Sequence, residues 1–370
     1  MAIFQKKKTT VYAKIQSAKG SPATVGDADA IDPTIDSGFV QPKGEQVDRG
    51  LIRGGRWPSE QAICGRWGEG SLTLELRGSD TAGTIPEFSP LLETLLGTKY
   101  ATVADTVEVG SGAVGGFDAS EEWAVGTLVR VAIGTGYEVR RIATVTGSGP
   151  YTYTVQRNFS EAPADGAAIT AGITYLHLGT ETEQYLTLDQ YLDGLRLLCT
   201  DAVCESLSVS ASERAIIQGV FGLRSLTCAE TDTTDSNSPT YDDSVPLCGT
   251  ECNLIFDGSI LDMKSLEFNL TTRRSRGGIN SAGFSELPFA GQFEAAATMT
   301  PWVEDKTPIT DFFTGGTVNA ELTKGDTAGN ILHIELVGLQ RTGPEIGEDE
   351  GDFSWNDPLT ITGGVYIGLF

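Results

Sequence analysis

The stretch from Gly70 to Thr98 constrains the fold more than any other part of the chain. Leu72, Leu74 and Leu76 alternate with Thr73, Glu75 and Arg77, the period of a strand with one buried face. A polar turn follows. Ser89 then stands where a helix N-cap belongs, and Pro90 suits the first helical turn, where its missing N–H leaves no bond unmade. Leu91, Leu92, Leu95 and Leu96 make one apolar helix face, and Gly97 is placed to end the helix in the left-handed region. The pattern predicts a strand, a turn and a short capped helix.

Period-two runs recur along the rest of the chain. Val11, Ala13 and Ile15 alternate with Tyr12, Lys14 and Gln16. Leu207 and Val209 alternate with Ser206, Ser208 and Ser210, and Ala215–Leu223 reads as the returning strand of a hairpin through Ser212, Glu213 and Arg214. Leu266, Phe268 and Leu270 share one face of a further strand. Thr307 and Pro308 open a second short helix, and Val318–Leu322, Ile331–Val337 and Leu359–Phe370 read as closing strands. Gly, Asp, Ser and Pro punctuate these runs, so a mainly β chain with few helices is expected.

From residue 103 to 173 the texture changes. Leu128–Val131, Tyr137–Val145 and Tyr151–Gln156 are short strands joined by tight turns, the grammar of a small SH3-like β-barrel. This segment reads as a module inserted into a core made of residues 1–102 and 174–370. Residues 1–60 hold little periodicity beyond Thr10–Gln16 and are expected to form an arm ordered by neighbours.

The net charge of −24 excludes nucleic-acid binding through the overall field. The charge is uneven. Asp232, Asp235, Asp242 and Asp243 lie in a base-free segment, and the loop from Thr231 to Asp243 is expected to be mobile. Lys6, Lys7 and Lys8 precede the first acid, and Arg273, Arg274 and Arg276 form the one dense basic cluster outside the termini. Contacts between these bases and those acids on neighbouring copies are expected, since opposite charges steer and register assembly.

No apolar run approaches the roughly 20 residues that span a bilayer, and MAIFQKKKTT lacks the apolar segment of a secretory signal. Folding in a reducing cytoplasm is therefore expected. Cys64, Cys199, Cys204, Cys228, Cys248 and Cys252 then read as free thiols, with a cross-strand disulfide after release from the cell as the alternative. Neither Cys199-x4-Cys204 nor Cys248-x3-Cys252 is a tight zinc knuckle, and no His lies near them. Gly110-x-Gly112-x-x-Gly115 sits in a β context and reads as a turn, because a dinucleotide site needs a helix to begin there. His177 and His333 belong to no nucleophile–base–acid set. No catalytic residue, metal site or cofactor is expected.

Several segments, taken in order, resemble the tail tube proteins of long-tailed bacteriophages. They are Tyr12–Gly20, Gly70–Gly97, Tyr185–Leu195, Cys204–Val209, Leu266–Leu270, Gly277-Gly278-Ile279 and Pro301-Trp302-Val303. The resemblance implies a β-sandwich or barrel flanked by one helix, here the one carrying Leu91, Leu92, Leu95 and Leu96. It implies hexameric rings stacked into a tube that holds a tape measure protein and later passes double-stranded DNA without specific binding. Tail terminator and baseplate or distal tail proteins would be further partners, with no membrane. The chain would belong to the virion after assembly in the host cytoplasm. Strands Ser206–Ser210 and Ser265–Thr271 are the candidates to line the lumen, with Glu205 and Glu267 facing it or, as the alternative, the opposite face of these strands turned inward. A single-ring terminator or baseplate protein of the same fold, or a non-catalytic β-rich binding module, is the alternative.

Overall fold

Two strands of eighteen residues, Leu195–Ser212 and Asp352–Leu369, organise the molecule. Both are about three times the usual strand length, and each takes part in two regions of sheet. The computed structural model describes residues 8–47, 62–108, 112–178, 184–250, 252–272, 293–303, 307–349 and 352–370.

In chain order the core begins with β1 (Thr9–Ile15), β2 (Ala30–Ile31), β3 (Gln41–Val47), β4 (Ala62–Glu75), α1 (Ser89–Leu96) and β5 (Thr98–Thr102). The inserted segment holds β6 (Asp105–Thr106), β7 (Gly116–Ala119), β8 (Leu128–Ile133), β9 (Gly136–Gly147), β10 (Tyr151–Val155) and β11 (Ala168–Thr170). The core resumes with β12 (Gly172–Leu176), β13 (Leu186–Leu192), β14 (Leu195–Ser212), β15 (Gln218–Asp232), β16 (Asn253–Phe256), β17 (Ser259–Ile260) and β18 (Met263–Thr272). It closes with β19 (Phe293–Pro301), α2 (Thr307–Thr314), β20 (Thr317–Lys324), β21 (Leu332–Arg341), β22 (Glu345–Asp349) and β23 (Asp352–Leu369).

One part of the large antiparallel sheet runs β4–β15–β14–β18–β19–β23. The first half of β14 stays paired with β15 but has β13 in place of β18 on its other side, and β13 pairs with β1. The second half of β23 pairs with β21 and β12. Bulges let the long strands change direction. In β14, Asp201 takes a φ of +51° and its carboxylate accepts the Gly20 N–H at 2.7 Å. Opposite β23, Gly338 takes a φ of +70°, and a Cβ there would lie 2.9 Å from the Gly363 nitrogen, so the bend requires glycine. Inward residues from both regions, such as Leu72, Phe221, Val209, Phe268, Val11, Leu188, Ile334 and Ile367, join in one apolar core.

The helix α1 closes this core with Leu91, Leu92, Leu95 and Leu96, all buried, and Gly97 ends it with a φ of +84° and an N–H donated to the Glu93 carbonyl. Ser89 is not the N-cap. That position falls on Phe88, and Ser89 is the first helical residue. Its buried hydroxyl accepts from Tyr175 Oη at 2.7 Å and donates to Glu93 Oε1 at 2.7 Å. Tertiary partners outcompete the local cap here.

Residues 105–170 form a separate six-stranded sheet, β6–β11–β8–β9–β10–β7. It has its own core, in which Phe117 lies against Trp123, Tyr153 and Phe159 with ring centroids 5.2–6.3 Å apart. Thr102 and Gly172, which flank the insertion, are paired with each other across β5 and β12.

Residues 8–47 are tied to the core more closely than their composition suggests. Val11, Tyr12 and Ala13 are buried, and β3 pairs with β4 along Gln41–Val47. Gln41, Pro42, Lys43 and Gly44 are all exposed, so no buried face imposes alternation on them, while main-chain hydrogen bonds still pair the strand.

Candidate lumen face and assembly surfaces

Alternation on the β4–β15–β14–β18–β19–β23 region sends Leu74, Gly219, Val209, Phe268, Ala297 and Leu359 inward as one row across the strands. The residues between them point outward. One outward row is Thr73, Val220, Ser208, Asn269, Ala296 and Thr360. Its neighbour is Glu75, Gln218, Ser210, Glu267, Thr298 and Pro358, and the next is Ser71, Gly222, Ser206, Thr271 and Glu294. The charged members of these rows are Glu75, Glu267 and Glu294, all acids. Arg224 lies further along the same strand face, 3.8 Å from Glu205. Glu267 is exposed. Glu205 is half-buried in the β14 bulge, and its charge balances Arg224. The face is therefore broad, small-residue, polar and poor in cations, chemistry that gives phosphate little to hold.

The acidic loop is strapped to its own chain. Asp235 accepts hydrogen bonds from Thr10 Oγ1 at 2.5 Å, Tyr12 Oη at 2.7 Å and the Asn237 N–H at 2.9 Å. The Thr240 N–H donates to the Asp27 carbonyl at 3.0 Å. Asp242 accepts from the Glu87 N–H at 3.0 Å, and its own N–H reaches Glu87 Oε2 at 3.4 Å. Burial, with Asp242 opposed by Arg77, pushes the Glu87 carboxyl up to about 7. Arg77 sits 3.6 Å from Asp32, 3.8 Å from Glu87 and 3.9 Å from Glu75. The expectation of a mobile loop is thus corrected: composition shows the charge but not the anchors in β1 and before α1. Asp232 and Asp243 are exposed. Lys8 stands 3.4 Å from Asp193 of its own chain. Lys6, Lys7, Arg273, Arg274 and Arg276 lie outside the described residues.

A charged seam that sequence reasoning missed joins the inserted sheet to the core. Arg157 donates from Nε and Nη2 to the two oxygens of Glu321 on β20, at 2.7 and 2.6 Å. Arg141 Nε lies 3.0 Å from both oxygens of Glu335 on β21. Arg140 bonds Glu138 and approaches Glu321 at 4.0 Å. Beside them His333 is fully buried, with Nδ1 2.7 Å from Thr323 Oγ1. Burial, aided by Arg140 and Arg157, pushes its pKa down to about 3. Leu128, Val139, Ile331 and Phe370 form an apolar cluster at the same junction. The available signal was Glu335, a lone charge in the apolar run Leu332–Val337.

Elsewhere, α2 exposes Ile309, Phe312 and Phe313, and the β22–β23 hairpin exposes Ile346 and Phe353. Gly116 opens β7, and Ala113 bridges to it, so the described part of the glycine motif leads into a strand. His177 packs edge-on against Phe293 at 4.1 Å. Among the described residues, no three His, Cys, Asp or Glu side chains stand together as a metal site.

No curated protein matches the sequence. The family model described as phage tail tube protein matches residues 6–362, a span that takes in α1, the inserted sheet, all of β14 and the first part of β23. This mainly β chain therefore belongs to the phage tail tube protein family, whose members are structural components of the virion tail.

Proposed function

We propose that the chain polymerises as hexameric rings that stack into the tail tube, with the outward face of β4, β15, β14, β18, β19 and β23 lining the lumen. The observation that carries this reading is the cation-poor polar surface built by the Thr73, Glu75 and Ser71 rows. A duplex passing such a wall meets acids and small hydroxyl side chains, so phosphates slide without being held. At physiological salt the repulsion reaches only about 8 Å, so wall residues such as Glu267 matter more than the distant net charge.

The exposed apolar side chains of α2 and the β22–β23 hairpin support burial against a neighbouring copy. The role is architectural and not catalytic. Assembly takes place in the host cytoplasm around a tape measure protein, between terminator and baseplate proteins. Negative-stain electron microscopy of the purified chain, from micromolar to near-millimolar concentration, tests the reading. Hollow tubes or stacked six-fold rings are expected. Isolated rings that never stack would favour a terminator-like role, and monomers at every concentration would overturn the proposal.

A further inference from the structure

We propose that Cys199 and Cys228 form a reversible disulfide that staples β14 to β15. The two residues face each other directly in the antiparallel register. Directly opposed residues have Cα atoms about 4.5–5.5 Å apart, within the span a disulfide bridges. Both are free thiols, and Cys199 Sγ donates to Cys228 Sγ at 2.8 Å. Less than about 1 Å of approach separates this contact from a sulfur–sulfur bond.

The surroundings give the two sulfurs different roles. Cys199 is fully buried, with Gln190 Nε2 3.9 Å from its sulfur, while Cys228 is half-buried. The S–H received from Cys199 lowers the Cys228 pKa, and donating that bond while buried raises the Cys199 pKa. Cys228 is thus the member that ionises first and meets solvent. The other described cysteine side chains have other surroundings. Cys204 is buried and donates to the Ser206 carbonyl at 3.2 Å, and Cys252 points to the Cys248 carbonyl at 3.7 Å.

The oxidant is a small-molecule disulfide. The Cys228 thiolate attacks one of its sulfurs, forming a mixed disulfide and expelling one thiolate. Cys199 then gives its proton to solvent and attacks the Cys228 sulfur, expelling the second thiolate. Two protein thiols are oxidised by two electrons, and the reagent is reduced to two thiols. Inside a reducing cell the equilibrium favours the dithiol, whereas a virion outside the cell has no glutathione pool to reverse the bond.

The test uses the full-length chain as unassembled subunits, so it does not depend on the tube reading. The protein is incubated with oxidised glutathione, free thiols are blocked with iodoacetamide, and the intact mass and proteolytic peptides are measured. The expected result is loss of two hydrogens, with one cross-linked peptide pair joining Cys199 to Cys228 that dithiothreitol separates. The Cys248→Ser/Cys252→Ser variant should give the same cross-link, and Cys199→Ser should stop at a glutathione adduct on Cys228. Full alkylation of both thiols after oxidation, a stable adduct on Cys228 of the unmutated chain, or a bond joining other cysteines would each overturn the proposal.

Discussion

Replacing Arg141 by Met tests whether the charged seam holds the inserted sheet to the core. Glu335 is only 4 % exposed, and both its oxygens lie 3.0 Å from Arg141 Nε. Burial already raises its pKa, and Arg141 opposes that rise. Removing the guanidinium leaves a buried carboxylate without its ion partner, which costs about 3–5 kcal/mol. The stacking of Arg141 on Tyr366, at 4.4 Å, adds a smaller loss of about 0.5–2 kcal/mol. Methionine keeps part of the aliphatic volume, so cavity formation contributes little. Glu335→Leu added to Arg141→Met removes the stranded charge, and most of the loss should return. Urea denaturation gives the energies, and hydrogen exchange read by mass spectrometry locates them. Peptides from β8, β9, β20 and β21 should lose protection, while those from β14 and β15 should not. A single-variant cost below about 1 kcal/mol, the value of a solvent-exposed ion pair, would refute the reasoning. A double variant as unstable as the single one would do the same.

Three further outcomes are expected. Glu87 has a folded pKa of about 7, above its ordinary value of 4.5, so folding takes up a proton between these limits and stability falls as pH rises through them. Glu87→Gln should flatten that part of a denaturation-against-pH curve and gain on the unmutated chain above neutrality; a difference independent of pH would refute the assignment. His333 has the opposite sign: its folded pKa of about 3 lies below 6.5, so stability is full above that value and drops on acidification by at most about 1.4 kcal/mol per pH unit. His333→Gln should remove this slope, as read from acid-unfolding curves. Leu92→Ala deletes a fully buried side chain in α1 and should cost about 2–5 kcal/mol; a loss under about 1 kcal/mol in urea would mean that α1 does not close the core.

The sequence displays what period and local chemistry encode. Leu72, Leu74, Leu207, Val209, Leu266 and Phe268 announce their faces because one side of each strand is buried and the other is not. The αL ending at Gly97 is equally local. What failed to show depends on partners remote in sequence. Ser89 looks like a cap until Tyr175, 86 residues away, is brought to its hydroxyl. The acids at 235 and 242 look free until Tyr12 and Glu87 reach them. The β22–β23 hairpin was hidden by its acidity, since Glu345, Glu348, Asp349 and Asp352 interrupt alternation without preventing main-chain pairing. The outward rows of the sheet were half legible: alternation separated the faces, but only the register shows which residues stand side by side.

The pairing of Thr102 with Gly172 makes the whole inserted sheet, from the core's side, the loop of a hairpin. Chain entropy then sets few limits on what that loop contains, because closing a longer loop costs only about 0.6 kcal/mol for each doubling of its length. The limits come from what the insertion covers. Without it Glu321, Glu335 and His333 would face water, where the two acids hydrate readily and the histidine regains ordinary basicity. The core face under the insertion is thus largely polar, with Ile331 and Phe370 as apolar members that the insertion keeps from water. A chain built this way is able to gain, lose or exchange its insertion over evolutionary time while the register of the core strands stays the same.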